Sequence, residues 1–248
     1  MSDFTRWQAA RLTALQAEDG WLNLTDRVEL RQGAQTVGAG AGNDIVLSIG
    51  PDRLGVLSVA GERAELQGPD GRSQAFANTA SYPQLRVGGM LLELHSVDGA
   101  PALRVRDLGR KRQVDLRCFP FDPAWVIQAD WERLAVPASQ SIGQNGAAET
   151  EVQVTHRAHF TSLGHDVTLL ATHWKRDMPM FVIRDATSGQ ETYGASRFLI
   201  GAPDRSHITL DFNRAHNPPC AFTDFAICPL PPRENRLPFA IRAGEFAP

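Results

Sequence analysis

Leu103-Arg104-Val105-Arg106 alternates apolar and charged side chains with a period of two. Successive side chains of a strand point to opposite faces, so the pattern predicts Leu103 and Val105 in a core and both arginines in water. The same period runs outward from this stretch. Short apolar-alternating segments at 28–31, 36–37, 45–47, 54–59, 64–66, 85–87 and 90–94 follow one another at hairpin spacing. Gly68-Pro69-Asp70-Gly71, Gly88-Gly89 and Asp98-Gly99 supply turn residues that accept positive φ. Residues 21–112 therefore read as one all-β unit, closing at the short basic turn Arg110-Lys111-Arg112.

Upstream the period changes. Residues 3–18 place Phe4, Trp7, Leu12 and Leu15 within one broad apolar face, with Asp3 as cap and Asp19-Gly20 as stop. This predicts the one helix of the chain, with Phe4 and Trp7 anchoring it onto a sheet. Downstream, Cys118-Phe119-Pro120-Phe121-Asp122-Pro123-Ala124-Trp125 is an aromatic-rich bridge whose prolines resist regular structure. Strands are expected again at 125–130, 151–160, 166–172, 180–184 and 208–212. The small, polar residues 137–149, with Gly143-Gln144-Asn145-Gly146, read as an exposed loop.

The 248 residues carry 25 Lys+Arg against 28 Asp+Glu, a net charge of −3. That balance gives no general attraction to phosphate backbones, so no nucleic-acid partner is expected. No apolar run approaches the ~18 residues of a membrane span, and the N-terminus lacks the apolar core of a secretory signal. No membrane partner and a cytoplasmic location are the expectations. Three cysteines, Cys118, Cys220 and Cys228, are too few for a disulfide scaffold and would be thiols in a reducing compartment. Cys220 and Cys228 lack the Cys-x₂-Cys spacing of zinc sites but can approach each other across residues 222–225. Buried apolar thiols, a redox-sensitive pair and a nucleophile all stay open for them.

The C-terminal third differs from the rest. Residues 185–197 are dense in hydrogen-bonding side chains and glycines, and six of the chain's 16 prolines fall within 217–238. Such a stretch forms neither ladder nor helix and must wrap the surface in fixed, extended segments. Its backbone polar groups need partners. One reading is therefore a polar clasp, in which Asp185, Asn213, Arg214, Asn217, Asn235 and Arg236 pin the wrap. The other is a pocket lined by the same region. There Arg197 and Arg214 bind an anionic group, Asn213, Thr192, Tyr193 and Asn235 complete the lining, and Asp211, Glu191 or Cys220 carries the chemistry.

Asp185-Ala186-Thr187-Ser188-Gly189, Glu191-Thr192-Tyr193-Gly194, Leu210-Asp211-Phe212-Asn213-Arg214-Ala215, Asn217-Pro218-Pro219-Cys220-Ala221-Phe222-Thr223, Cys228-Pro229-Leu230-Pro231-Pro232 and Glu234-Asn235-Arg236-Leu237-Pro238 resemble the signature blocks of a bacterial family, that of the domain of unknown function 1684. Residues 40–47 and Arg53-Leu54-Gly55 also fit, so the resemblance extends over nearly the whole chain. His216 stands where the family more usually has Tyr. The family implies no activity, only that these polar blocks belong together. More weakly, residues 37–47 resemble the start of a forkhead-associated domain, a phosphothreonine-binding β-sandwich. Ala39 stands where those domains carry arginine, and Asp52-Arg53-Leu54-Gly55 replaces their Ser-x-x-His, which argues against the phosphopeptide chemistry.

The expected fold is all-β and mainly antiparallel with one short N-terminal helix. Residues 1–20 form the helix, 21–112 a forkhead-associated-like β-sandwich, and 113–248 a second β-barrel or sandwich with a Pro-rich wrap. Signals for other chemistry fail. Gly194-Ala195-Ser196-Arg197-Phe198 lacks the last glycine of a nucleophile elbow. No phosphate-cradling loop occurs, and His156 and His159 fall on opposite faces of a strand. No metal or cofactor is expected. The functional expectation is binding of a small anionic molecule in a polar C-terminal pocket, with hydrolytic or transfer chemistry open to it. The alternatives are a non-catalytic interaction module using the loops at 39–44 and 51–55, its protein partner unspecified, or a purely structural clasp.

Overall fold

In the computed structural model the described residues are 2–79, 82–97, 100–110 and 112–248. The expected Asp98-Gly99 turn and Lys111 of the basic turn lie outside them. The chain forms two compact units, Thr13–Gln113 and a second made of Met1–Leu12 with Val114–Pro248. It is mostly antiparallel β with one short N-terminal helix, α1 (Asp3–Gln16), as expected. Ser2 rather than Asp3 caps that helix: the Thr5 N–H donates to Ser2 Oγ at 3.1 Å. Phe4 stacks on Trp7 with centroids 5.8 Å apart and meets Phe121 of the bridge at 5.5 Å, so its anchor is the bridge and not a sheet.

The N-terminal unit contains β1 (Leu24–Glu29), β2 (Gly33–Gly38), β3 (Ile45–Val46), β4 (Gly55–Ala60), β5 (Arg63–Gln67), β6 (Ser73–Ala75), β7 (Gln84–Val87), β8 (Met90–Val97) and β9 (Ala100–Asp107). They make a four-stranded sheet, β1-β9-β8-β7, and a five-stranded one, β3-β2-β4-β5-β6. Val37, Leu57 and Leu66 from the second sheet share one core with Leu92, Leu103 and Val105 from the first. Alternation explains that face, and it is the one the sequence predicted.

The opposite face of β8 and β9 corrects the sequence reading. Arg104 and Arg106 are 4% and 5% exposed, not in water. Arg104 Nη1 donates to Glu93 Oε1 at 3.2 Å and Arg106 Nη1 to Glu93 Oε2 at 3.1 Å. Both guanidiniums lie over the Trp21 ring, 5.1 and 5.7 Å from its centroid. Period-two alternation places these residues on one face but is silent on what covers that face. Arg104 Nη2 also stands 3.0 Å from His95 Nε2. Burial first, then Arg104, pushes the His95 imidazole down to about 4, so it is neutral at pH 7.

The C-terminal unit contains β10 (Val126–Gln144), β11 (Ala147–Ser162), β12 (His165–Leu170), β13 (His173–Lys175), β14 (Met178–Ile183), β15 (Arg197–Asp204) and β16 (His207–Asp211). They form one curled sheet in the order β12-β11-β10-β16-β15-β14-β13. Residues 137–149 are not an exposed loop. They belong to the long β10–β11 hairpin, whose pairing closes at Gln144↔Ala147 around Asn145-Gly146. Gly146 has φ +81°, the positive value a two-residue hairpin turn requires. Pro137 falls where the register shifts between Arg133 and Ala138, so its missing N–H takes no bond from the ladder.

The Pro-rich tail supplies Leu237, Phe239, Ile241 and Ala243 to the core of Phe181, Leu199, Leu210 and Phe212. It runs beside the end of β14, with the Arg184 N–H donating to the Asn235 carbonyl at 3.0 Å and the Leu237 N–H to the Arg184 carbonyl at 2.7 Å. Gly244, at φ +84°, lets the chain turn against residue 215, since a Cβ there would sit 2.3 Å from the Ala215 carbonyl oxygen.

Candidate functional site

The polar residues singled out in the C-terminal third fall into three groups. In the first, Arg197 and Asp185 are a buried ion pair, 2.7 Å from Nη2 to Oδ2, with side chains 1% and 0% exposed. Arg197 also donates to the carbonyls of Ala243 and Ile241. Asp185 Oδ1 accepts from the Thr187 N–H at 2.8 Å, the Thr187 hydroxyl at 2.6 Å and the Ile241 N–H at 3.1 Å. Thr192 joins through its hydroxyl, 2.9 Å from that of Thr187. Both terminal nitrogens of Arg197 meet acceptors on the tail or on the turn after β14, while its Nε is buried with no hydrogen-bond partner among the described residues. An Arg buried so completely holds chain segments together and offers little to a solvent-borne anion.

The second group pins the strand ends. Asn235, fully buried, donates to the carbonyls of Leu170 and Val182 at 3.0 and 2.9 Å and accepts from the Leu170 N–H at 2.7 Å. Asn213 bridges to Asp122 of the bridge, accepting from its N–H at 2.9 Å and donating to its carbonyl at 3.0 Å. Asp211 accepts from the Asn213 N–H at 3.1 Å and ion-pairs with Arg214 at 3.0 Å. Arg214 also pairs with Asp3 of α1. Glu191, at the surface, pairs with Arg242 at 3.0 Å. Asn217 and Glu245, both buried, close the tail: the Asn217 N–H donates to Glu245 Oε2 at 2.7 Å, and Arg11 pairs with Oε1 at 2.9 Å.

His216 sits within this second group. The backbones of His216 and Phe198 exchange hydrogen bonds at 2.8 and 3.0 Å, and the ring Nδ1 lies 3.1 Å from the Arg214 carbonyl. Burial, then the nearby Arg11, pushes the imidazole down to about 3. Its folded value lies below its unfolded one, so the unfolded chain binds the extra proton between about pH 6.5 and 3. The stability His216 contributes is present above about pH 6.5 and is lost as pH falls toward 3, by up to about 5 kcal/mol. Urea unfolding at pH 7.5 and 4.5 should show His216→Phe losing less stability on acidification than the parent chain.

The third group gathers at Cys220. Cys118, Cys220 and Cys228 are all thiols, Cys220 half-buried and Cys228 buried. The Cys220 N–H donates to Cys228 Sγ at 3.3 Å, and the two side chains are hydrogen-bonded. The Tyr193 hydroxyl donates to the Cys220 carbonyl at 3.1 Å and stands within reach of its sulfur. Asn145, at the tip of the β10–β11 hairpin, adds its side-chain amide. That tip is tied down by the Asn145 N–H donating to the Cys228 carbonyl at 2.8 Å and the Leu230 N–H to the Gly143 carbonyl at 2.7 Å.

The result is a thiol surrounded by donors. The Cys228 hydrogen bond, opposed by burial and assisted by Tyr193 and Asn145, brings the Cys220 thiol down to about 6. Burial pushes the Tyr193 phenol well above its ordinary range, so it stays a donor. Cys118 is the contrast, its thiol pushed up by burial. Sequence reasoning named Cys220, Cys228 and Tyr193 but missed Asn145. The signal was available: Asn-Gly between two alternating runs is a strong hairpin marker and would have carried the 137–149 stretch into a strand pair.

A family model described as "Protein of unknown function (DUF1684)" matches residues 113–246. The chain belongs to this family. The DUF1684 match takes in the three polar groups except Asp3 and Arg11, and is narrower than the nearly full-length resemblance read from the motif blocks. An uncharacterized protein of Haloarcula marismortui, solved in solution by NMR, is 31% identical over 53% of this chain and 75% of its own, with a TM-score of 0.45. No curated protein matches the chain. Elsewhere, a cavity of about 540 Å³ in the N-terminal unit is lined by Arg63, Tyr82, His95 and Ser96 among others. Another of about 430 Å³ lies over Gln128, Asp130, His159 and Asp166. Arg197, Asp211, Asn213 and Arg214 line neither.

Proposed function

We propose that the C-terminal unit acts through Cys220, as the nucleophile of a transfer or hydrolytic reaction on a small electrophilic substrate. The observation that carries this reading is the gathering of polar groups at a half-buried Cys220: its N–H donates to Cys228 Sγ at 3.3 Å, the Tyr193 hydroxyl donates to its carbonyl at 3.1 Å, and Cys228, Tyr193 and Asn145 together lower its thiol. A lowered thiol carries more thiolate at neutral pH than an ordinary one, and the thiolate is the reactive form. When the sulfur forms a bond to carbon, its negative charge passes to the substrate. The Tyr193 hydroxyl and the Asn145 amide are then the donors left to meet it. The buried Asn217–Glu245 contact acts in support: the Asn217 N–H donates to Glu245 Oε2 at 2.7 Å, three residues before Cys220, and fixes the start of the segment that carries it.

Alkylation of the full chain with limiting iodoacetamide at pH 7, followed by peptide mass spectrometry, tests the proposal. Cys220 should be modified at least tenfold faster than Cys118 and Cys228. Equal or slower modification of Cys220 overturns it.

A second reading concerns the N-terminal unit, whose two sheets and 39–44 loop support the forkhead-associated likeness and use as an interaction module. The specific observation is that Asn43 clips both loops, donating to the carbonyls of Gly40 and Asp52 at 2.7 Å each. Gly38 permits the approach, since a Cβ there would meet the Asp52 carbonyl oxygen at 2.4 Å.

A further inference from the structure

Cys220 has a partner whose position does more than donate a hydrogen bond. Cys228 is eight residues on, yet its sulfur lies 3.3 Å from the Cys220 backbone nitrogen and in hydrogen-bond contact with the Cys220 side chain. The chain between them enters through the short 3₁₀ turn Pro219–Ala221 and has no strand or bridge from Phe222 to Cys228. Such a segment can shift to close a thiol contact to the ~2.05 Å of an S–S bond without breaking a ladder. The two thiols also differ in access: Cys220 is half-buried, while Cys228 is buried. An oxidant therefore meets Cys220 first, and the Cys228 sulfur beside it is the one that can displace the product.

We propose that Cys220 and Cys228 are a two-cysteine redox centre, in which a hydroperoxide oxidises Cys220 and Cys228 resolves it to an intramolecular disulfide. The proposal rests on the reading of Cys220 as the reactive nucleophile. In the first step the Cys220 thiolate attacks the terminal oxygen of ROOH. The S–O bond forms, the O–O bond breaks and the alkoxide leaves, taking up a proton as ROH. In the second, Cys228 sulfur attacks the sulfenic acid sulfur. The S–S bond forms, and the hydroxyl leaves with the Cys228 proton as water. Two thiols are oxidised by two electrons and one hydroperoxide is reduced to an alcohol and water. A dithiol reductant returns the centre by exchange, leaving as its own disulfide. The Asn145 amide, and the Tyr193 hydroxyl on turning from the Cys220 carbonyl, can donate to the departing oxygen.

Treatment of the full chain with one to a few equivalents of hydrogen peroxide, quenched with an alkylating agent, reads this out by peptide mapping. The expected product joins Cys220 to Cys228 with the loss of two hydrogens, is intramolecular, and disappears on treatment with dithiothreitol. In Cys228→Ser the sulfenic acid should instead persist on Cys220 and be trapped by dimedone severalfold more than in the parent chain. The wild-type map needs no variant to fold. A disulfide to Cys118, a disulfide between chains, or Cys220 driven to sulfinic acid with Cys228 unchanged would overturn the proposal. Fast alkylation of Cys220 without the disulfide defeats the redox centre and leaves the nucleophile reading intact. Slow alkylation at pH 7 defeats both.

Discussion

Asp185→Asn should lower the unfolding free energy of the C-terminal unit by about 3–5 kcal/mol, the usual cost of stripping one partner from a buried ion pair. Asparagine keeps the shape of the carboxylate but not its charge, and Arg197, 1% exposed, would be left without a counter-charge. The loss spreads further, because Asp185 Oδ1 also organises Thr187 and the Ile241 N–H. Replacing both partners with apolar residues of similar volume should recover a good part of the loss, since no uncompensated charge then remains. Glu191→Gln, which touches only the exposed pair with Arg242, should change nothing measurable. Urea unfolding of the four chains separates these outcomes. A loss at Asp185 no larger than that at Glu191 would contradict the clasp.

A comparable loss, again about 3–5 kcal/mol, is expected in the N-terminal unit for Glu93→Gln. One carboxylate serves two guanidiniums there, and the side chains of Glu93, Arg104 and Arg106 are each exposed by only 5–6%. Arg104 Nε and Arg106 Nε have no hydrogen-bond partner among the described residues, so the carboxylate is the main compensation for both charges. Glu93 also favours the protonated form of His95, so its loss should move that imidazole further down. Thermal unfolding of Glu93→Gln beside Arg86→Ala, whose pair with Glu18 is exposed, supplies the comparison.

Most of the β architecture was legible in the sequence because alternation and turn residues agree along β4, β5, β8, β9 and β12. The short strands β6 and β13 went unread, and three larger features did too. Arg104 and Arg106 look like a solvent face, since a period of two carries no information on what lies beyond that face. The far half of the β10–β11 hairpin is built from small and polar residues that read as loop. Their compensation is cross-strand, as when the Ser141 hydroxyl donates to Glu149 at 2.6 Å. β15 was missed because Gly201 and Pro203 interrupt its apolar run, although both sit within paired positions opposite β16.

The candidate site shows the same division. Composition pointed to the C-terminal third, and the polar blocks do gather there. It could not say which residues satisfy one another. Arg197 and Asn235 are held by backbone groups distant in sequence, and no local pattern encodes that. The convergence of Asn145, Tyr193, Cys220 and Cys228 draws on a hairpin tip, the turn region between β14 and β15, and two points on the wrap. Only the assembled fold brings them together.

The central claim is that those neighbours turn Cys220 into a thiolate at neutral pH. The pH profile of iodoacetamide alkylation, followed at Cys220 by mass spectrometry in the parent chain and in Tyr193→Phe, tests it most directly. The account predicts a rate that reaches half its maximum near pH 6 in the parent chain, shifted upward in Tyr193→Phe. A midpoint near the ordinary thiol range, about 8.5, and unmoved by the substitution, would contradict it.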